Sequence, residues 1–483
     1  MVMQADRLPF AFARDQQVIL DGTRMIVGPD VTSLGLREAA RRAGNAPLIK
    51  ETVAGFETAL SRVYNTGAAV ADGDDTLFTL EDTGTSATRQ RDLLDEAGEA
   101  PVIQLVNQLL LRALTAGASD LHIEPYEDGL RARMRVDGFL QKIMDRSDVP
   151  VRRVVSRLKV MAGLDIAETR LPQDGRIPLS LGGRTIDTRV SSLPGNYGER
   201  IVLRILDRST GLMELSDLGL STRQISLLER MSALPNGIIL ATGPTGAGKT
   251  TTLYSLLKLA NRDERNIVTV EDPIEYDLQG ISQSQINADI GMTFANGLRA
   301  TLRQDPDVIL VGEIRDSETS SVAAQAALTG HLVFSSLHAN SSIGAIVRLR
   351  DLGLDNFLIA ATLRGVIAQR LLRKLCKTCC TSQPVSQAEA ALFKQHGLTP
   401  PTALSHAIGC DDCTSGYRGR LGIFEMVEIG ESLRAAIDRN ANETEMRGLA
   451  LSGSETLIGQ GLGEAADGNT TFEEVMRVVG DVA

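Results

Sequence analysis

The sequence predicts a multidomain α/β protein built around a phosphate-binding core, and three observations support this prediction. Four short apolar segments alternate with helical patterns, which indicates a mostly parallel sheet with helices on both faces. The first of these segments runs directly into the glycine-rich stretch GPTGAGKTT, residues 243–251. All five cysteines of the 483 residues lie between 376 and 413, so we expect a metal-binding insertion after the core.

Composition and charge narrow the possible functions. The formal net charge of −11 argues against a protein that binds duplex nucleic acid, because such proteins usually have a basic surplus. No apolar run approaches the roughly 18 residues needed to span a bilayer, and charged residues interrupt the N-terminal segment. We therefore expect a cytoplasmic protein that binds no nucleic acid and is attached to a membrane only through partners.

The first hundred residues are expected to form a small unit and a linker. Residues 1–75 are predicted as an N-terminal partner-docking domain, with short helices at SLGLREAARRAG and FETALSRVYNTG. Residues 76–100 are acidic, polar and glycine-containing, which is typical of a linker.

Residues 101–208 are predicted to form an α+β domain. The segment PVIQLVNQLLLRALTAG has helical periodicity and ends at Gly117. LRARMRV alternates apolar and basic residues, which predicts a strand, and two more strands are predicted at GGRTIDTRVSSLP and ERIVLRILD. Asp120, His122 and Glu124 share one face of a predicted strand; we interpret them as a polar face rather than a metal triad.

Residues 209–375 contain the four apolar segments of the core. GIILATG, NIVTVED, DVILVGE and HLVFSSLH are predicted strands, and TTLYSLLKLAN is the predicted helix after the glycine-rich loop. This strand, loop and helix match the phosphate-binding pattern G-x-x-x-x-G-K-[ST] in the expected context. Lys249 is expected to neutralise phosphate charge and Thr250 to bind Mg²⁺. The predicted nucleotide-binding residues of the loop are Gly243, Pro244, Thr245, Gly246, Ala247, Gly248, Lys249, Thr250 and Thr251.

Acidic and histidine side chains follow three of the core strands, where ligands of parallel sheets bind. Glu313 is suited to orient or deprotonate a water, with a salt bridge to Arg315 as the alternative. Gly312 stands where a metal-binding Asp is common. Glu271, Asp272 and Glu275 in VEDPIEY predict a Mg²⁺ environment or an acidic turn. His338 is placed to contact a γ-phosphate or is simply packed.

The cysteines form two C-x2-C pairs separated by 30 residues. This spacing is typical of a closed tetrahedral site for structural Zn²⁺, with Cys380 as a spare thiol and His406 as an unneeded substitute. The insertion is predicted over residues 376–414, and residues 415–483 are predicted as a C-terminal helical domain. The predicted zinc ligands are Cys376, Cys379, Cys410 and Cys413.

Together these segments resemble the secretion ATPases of type II secretion and type IV pilus assembly. In that family GPTGAGKTT is the Walker A motif, VEDPIEY the aspartate box, DPDVILVGEIRD the Walker B motif and TGHLVFSSLHAN the histidine box. The resemblance covers about residues 100–483 and implies a RecA-like ATPase core, a PAS-like preceding domain and a homohexamer that hydrolyses ATP.

The resemblance also implies roles for single residues. Glu313 matches the catalytic glutamate and Glu271 the aspartate-box acid, while His338 lies in the histidine box. Two pairs of arginines match family arginines at or near the nucleotide: Arg189 with Arg204, and Arg299 with Arg303.

The preferred interpretation is a type II secretion motor at the cytoplasmic face of the inner membrane, with the platform proteins GspL and GspF as partners. Three alternatives stay open at this point. They are a type IV pilus extension or competence ATPase, a nucleic-acid motor, and a regulatory nucleotide-binding module with little turnover.

Overall fold

The structure is a computed structural model. It divides into two units, residues 1–77 and 78–483, and each is described by itself. The predicted linker and most of the predicted helix FETALSRVYNTG lie outside the described residues. The structure describes residues 8, 12–13, 16–21, 24–29, 31–43, 46–52, 55–56, 59, 100–181, 184–206, 215–260 and 264–480.

The first unit contains a small three-stranded sheet. Strands β1 (Val18–Asp21) and β2 (Arg24–Val27) form an antiparallel hairpin, and β3 (Leu48–Lys50) pairs with β2 in parallel. Helix α1 (Ser33–Ala43) connects them and confirms the helix predicted at SLGLREAARRAG. Buried strand residues and Phe56 form the core of this unit.

The described part of the second unit starts with helix α2 (Ala100–Thr115) and an antiparallel sheet of six strands, in the order β6-β5-β4-β9-β8-β7. This confirms the predicted α+β architecture, since α2 and α3 (Val151–Met161) share one apolar core with the sheet. The strands are β4 (Asp120–Tyr126), β5 (Gly129–Val136), β6 (Phe139–Arg146), β7 (Gln173–Leu181), β8 (Arg184–Leu193) and β9 (Arg200–Leu206).

The core of the second unit is a seven-stranded sheet in the order β12-β11-β13-β14-β10-β15-β18. All neighbouring strands are parallel except β15 and β18, as predicted for the four apolar segments. Each of those four segments is a strand buried along its length: β10 (Gly237–Thr242), β11 (Ile267–Glu271), β13 (Val308–Val311) and β14 (Leu332–Leu337). The remaining strands are β12 (Ser282–Gln285), β15 (Leu363–Leu375) and β18 (Tyr417–Glu428).

Helices pack on both faces of this sheet, and each face shares a separate apolar cluster with its helices. The helices up to β15 are α4 (Thr222–Ser232), α5 (Lys249–Ala260), α6 (Phe294–Thr301), α7 (Ser317–Leu328), α8 (Ser342–Asp351) and α9 (Asn356–Thr362).

The sheet extends across the boundaries that the sequence predicts at 375 and 414. Strand β18 pairs with β15 over most of its length, although 41 residues separate the two strands in the chain. These domain boundaries remain predictions. Between the two strands lie the hairpin β16 (Thr381–Pro384) and β17 (Ala403–His406) and helix α10 (Gln387–Gln395), and after them α11 (Glu431–Asp438), α12 (Glu443–Ala450), α13 (Leu457–Ala466) and α14 (Phe472–Val479).

Candidate nucleotide site and four-cysteine cluster

The glycine-rich loop leaves the end of β10 and enters helix α5, which begins at Lys249. Gly243 has a φ of +150°, and a Cβ there would lie 2.6 Å from the carbonyl oxygen of Gln369. Gly248 has a φ of +88°, and its Cβ would lie 2.7 Å from the Gln369 side-chain nitrogen. Only glycine fits this path, which leaves backbone amides and a helix N-terminus free to bind a phosphate.

Lys249 is held across the loop by neutral acceptors. Its Nζ donates to the carbonyl oxygens of Gly243 at 2.8 Å and Pro244 at 3.2 Å. Burial lowers the pKa of Lys249, while the charge of Glu313 opposes this shift. The ammonium group therefore remains available to a phosphate oxygen, because none of the carboxylates that the structure describes forms a salt bridge with it.

A cavity of about 760 Å³ lies over the loop. Residues 245–251, including Thr250, line it together with Glu271, Glu313 and His338. Asp137, from the turn between β5 and β6, lines the same cavity. Two parts of the second unit therefore share one site.

Glu313 follows β13 and faces this cavity with its side chain mostly buried. It forms an ion pair with Arg315, and its Oε2 lies 3.3 Å from Nε2 of His338. The structure thus combines the two interpretations of Glu313, because a carboxylate paired with Arg315 also lines the cavity. It also brings His338 and Glu313 together.

Glu271 is 3% exposed, and its carboxylate accepts hydrogen bonds from three surrounding side chains. It accepts from Tyr254, from Thr269 at 2.5 Å and from Gln283 at 3.0 Å. Burial and this carboxylate raise the pKa of Tyr254. The arrangement suits a carboxylate that orders the aspartate box more than one that exchanges protons with a substrate.

Of the four predicted arginines, Arg189 alone contacts the site within this chain. Its Nη2 lies 3.4 Å from Glu275 and 3.3 Å from the carbonyl oxygen of Ile274 in the aspartate box. The others pair elsewhere: Arg204 with Asp120 at 3.3 Å, Arg299 with Glu318 at 2.7 Å, and Arg303 with the Arg299 carbonyl oxygen at 2.8 Å.

The side chains of SDLHIEP form a charged network on the antiparallel sheet. Glu124 accepts from Arg133 at 2.7 Å and pairs with Arg200 at 2.8 Å, and Arg200 also lies 3.2 Å from His122. These acids have arginine partners, and among the described residues they are not part of a cluster with metal-ligand spacing. This agrees with the interpretation as a polar strand face.

Two polar residues of the site escaped the sequence analysis. Gln369 is 2% exposed and accepts a hydrogen bond from Thr252 at 2.7 Å beside the loop. Its neighbour Arg370 is also buried. The available signal was the pair of polar residues within the apolar run GVIAQRLL.

The four predicted zinc ligands lie together, with all four Sγ atoms within 4.8 Å of one another. Cys376 and Cys410 are 3.9 Å apart, and Cys379 and Cys413 are 3.7 Å apart. A tetrahedral site with Zn–S bonds of about 2.3 Å requires separations of about 3.8 Å, so the thiols fit zinc. Cys380 is exposed outside the cluster, and His406 pairs with Glu473 at 3.0 Å.

Comparison with known proteins assigns the family. The family model described as "Type II/IV secretion system protein" matches residues 95–477. The chain belongs to this family. Its resemblance to secretion ATPases is therefore confirmed, as are the α/β fold class and the prediction of an ATP-hydrolysing enzyme.

Similar members of the type II/IV secretion family span nearly the whole chain. "Type II secretion system protein E" of Pectobacterium carotovorum subsp. carotovorum is 48% identical and covers 98% of this chain and 96% of its own. "Type II secretion system ATPase E" of Vibrio cholerae is 44% identical with the same coverage. The solved pilus retraction motor PilT with bound ADP is 26% identical, with a TM-score of 0.52 over 77% of this chain and 95% of its own.

Helix lengths bear on the predicted mode of membrane attachment. Among the described residues, no helix is both long and apolar enough to cross a bilayer.

Proposed function

We propose that the chain is the hexameric ATPase motor of a type II secretion system, which hydrolyses ATP to drive pseudopilus assembly and export of folded proteins. The observation that carries this proposal is one nucleotide cavity lined by two domains. The loop of the parallel sheet forms one side, Asp137 of the antiparallel sheet lines another, and Arg189 contacts the aspartate box. Nucleotide turnover between two domains alters their mutual contacts and so supplies a movement.

The cavity residues divide the work of hydrolysis. In this proposal the loop amides and Lys249 hold the β- and γ-phosphates, and Glu313 orients and deprotonates the attacking water. His338 holds Glu313 in place, and the buried Glu271 orders the aspartate box. Thr250 would hold Mg²⁺, which neutralises phosphate charge when bound.

The remaining arginines are candidates for contacts between subunits. Arg204, Arg299 and Arg303 are exposed in the single chain; the first two form surface ion pairs there, and Arg303 donates to the carbonyl oxygen of Arg299. Surface ion pairs contribute little stability, so a neighbouring subunit's nucleotide can replace these partners at small cost. This supports the homohexamer.

The four cysteines are proposed to bind one structural Zn²⁺ that closes the segment between β15 and β18. Cys376 directly follows β15, and Cys413 lies four residues before β18. A closed four-sulfur site has no open position for catalysis, so its role is to hold this segment on the core.

The partners proposed for this motor are GspL, docking on residues 1–75, and GspF. In this proposal both partners hold the chain at the cytoplasmic face of the inner membrane. The high identity to relatives named as type II secretion proteins supports this choice over pilus extension.

Secretion and partner capture test the proposal together. We expect the tagged full chain to retain a GspL-like protein from detergent-solubilised inner membranes and to restore secretion in a strain that lacks it. The matched variant Lys249→Ala should still capture the partner but not restore secretion, because only nucleotide binding is lost. Capture of a pilus platform protein instead would assign the motor to pilus extension, and restored secretion by Lys249→Ala would refute an ATP-driven role.

A further inference from the structure

Arg370 is a buried cation without an acidic partner. It lies on β15 and is 5% exposed. Its Nη1 donates to the carbonyl oxygen of Gln369 at 3.1 Å, and its Nη2 donates to the Asn340 carbonyl oxygen at 3.0 Å. The third acceptor is the side-chain oxygen of Asn340 at 3.4 Å. All three acceptors are neutral, and no carboxylate of the described residues forms an ion pair with this guanidinium.

The next arginine along β15 is treated differently. Arg373 pairs with the buried Glu474 at 2.7 Å and stacks between the rings of Phe139 and Tyr417. The fold therefore gives Arg373 a hydrogen-bonded counter-charge, whereas Arg370 has only neutral hydrogen-bond acceptors. Burying a charge without a hydrogen-bonded counter-charge is costly. Desolvation lowers the pKa of Arg370, and the charge of the buried Glu425, which forms no ion pair with it, opposes this shift.

The guanidinium of Arg370 lies next to the phosphate-binding loop, on residues 243–247. A Cβ at Gly243 would be 3.3 Å from Nη1 of Arg370. Arg370 also lines a small cavity of about 280 Å³ with residues 244–247 of the loop. After desolvation and the opposing effect of Glu313, the charge of Arg370 contributes to the lowered pKa of Lys249. The half-buried Lys249 and the buried Arg370 thus both lie beside one short loop.

Arg370 also links the loop to the histidine box. Asn340, its acceptor, lies two residues after His338, and the preceding Ala339 exchanges hydrogen bonds with Thr242 at 2.9 Å and 3.0 Å. The guanidinium therefore lies where the histidine box and the start of the phosphate loop meet.

We propose that Arg370 is a positioning residue for the nucleotide phosphates. Its buried charge lies behind the phosphate loop, contacts no phosphate, and receives its counter-charge when a polyphosphate binds in front of the loop. This inference rests on the proposed ATP site and adds a second cation to it. A purely structural link between two loops is the competing explanation, and it predicts a different pattern of binding.

The test compares Arg370→Gln with Arg370→Lys in the full chain, by calorimetric titration with ADP and with a non-hydrolysable ATP analogue plus Mg²⁺. We expect Arg370→Gln to weaken binding of the ATP analogue by about tenfold or more, and ADP by less, because the interaction scales with phosphate charge. Arg370→Lys keeps the charge but loses the forked hydrogen bonds, so it should retain most of the affinity. In turnover assays KM should rise more than kcat falls.

Arg350→Gln is the matched control. Arg350 is a second arginine of the core held by neutral acceptors, the carbonyl oxygens of Ala441 and Ile437 and the side chain of Asn356, and it does not line the nucleotide cavity. Its removal should lower the unfolding temperature without changing nucleotide affinity.

Five results decide between the two explanations. Wild-type affinity in Arg370→Gln, or equal losses in the Gln and Lys variants for both nucleotides, would overturn the proposal in favour of a structural link. If Arg370→Gln does not fold, retained affinity in Arg370→Lys supports the role of charge, and lost affinity contradicts it. Failure of the wild-type chain to bind either nucleotide would instead overturn the proposed function, and the proposal with it.

Discussion

The charged side chains on the antiparallel sheet and the cations at the phosphate loop differ in their partners. On the antiparallel sheet, Glu124 is matched by Arg133 and Arg200. At the loop of the parallel sheet, Lys249 and Arg370 donate only to neutral oxygens. Charges that are compensated within the fold contribute to its stability, whereas a cation held only by neutral groups beside a phosphate-binding loop can receive its counter-charge from an anionic ligand.

The largest expected effect is on turnover, when Glu313, the acid that pairs with Arg315, is replaced. Glu313→Gln should leave ATP binding intact and lower turnover by about 10²–10⁴-fold, because an amide cannot accept the proton of the attacking water. Binding is measured by titration and turnover by phosphate release. The surface variant Glu431→Gln is the control, and normal turnover in Glu313→Gln would refute the catalytic role.

In the four-cysteine cluster, a bound metal ion is expected to compensate the negative charge of the thiolates. Cys379→Ser should lower apparent zinc affinity by about a hundredfold or more, because loss of a ligand exceeds the effect of losing an outer-shell partner. Metal analysis and hydrogen exchange over residues 376–413 measure this. Cys380→Ser is the control and should retain one zinc per chain; full occupancy in Cys379→Ser would disprove the four-sulfur site.

The antiparallel sheet should respond in stability rather than in activity. Glu124→Gln leaves Arg133 and Arg200 without a counter-charge and should cost about 1–3 kcal/mol, with nucleotide affinity unchanged. Thermal unfolding measures this loss against the exposed control Glu127→Gln. A change in ATP affinity without loss of stability would contradict the separation of roles between the sheets.

The effect of Glu124 should also depend on pH. Burial raises the pKa of this carboxyl, but the hydrogen bond from Arg133 and the charge of Arg200 outweigh it, and the net shift is downward from 4.5. A lowered folded-state pKa means that the stabilisation is complete above about 4.5 and is lost as the pH falls through the folded value. The stability gap between wild type and Glu124→Gln should therefore narrow in acid. A stability difference that widens below pH 4.5 would contradict a lowered pKa of Glu124.

The smallest expected effect lies where the two domains meet. Arg189→Gln removes a long ion pair to Glu275 and should lower turnover about three- to tenfold, with little change in stability, since such a pair contributes about 1 kcal/mol or less.

Arg204→Gln tests the subunit contact and should lower turnover only when the protein is hexameric. Sedimentation shows whether the protein is monomeric or hexameric, and turnover is measured on the same samples. Equal effects of Arg204→Gln in monomer and hexamer would contradict a role of Arg204 at the subunit interface.

The sequence by itself determined the parallel core, the phosphate loop and the cysteine cluster. Each depends on local patterns: buried apolar runs, glycines at fixed spacing, and two C-x2-C pairs. Only the tertiary structure decided that β18 completes the core sheet and that Glu271 is enclosed by Tyr254 and Gln283. It also decided which charges have partners, because pairs such as Arg373 with Glu474 lie 101 residues apart. Periodicity shows which face of an element is buried, but not which residues pack against that face. The sequence pattern therefore could not show whether Arg370 has a counter-charge.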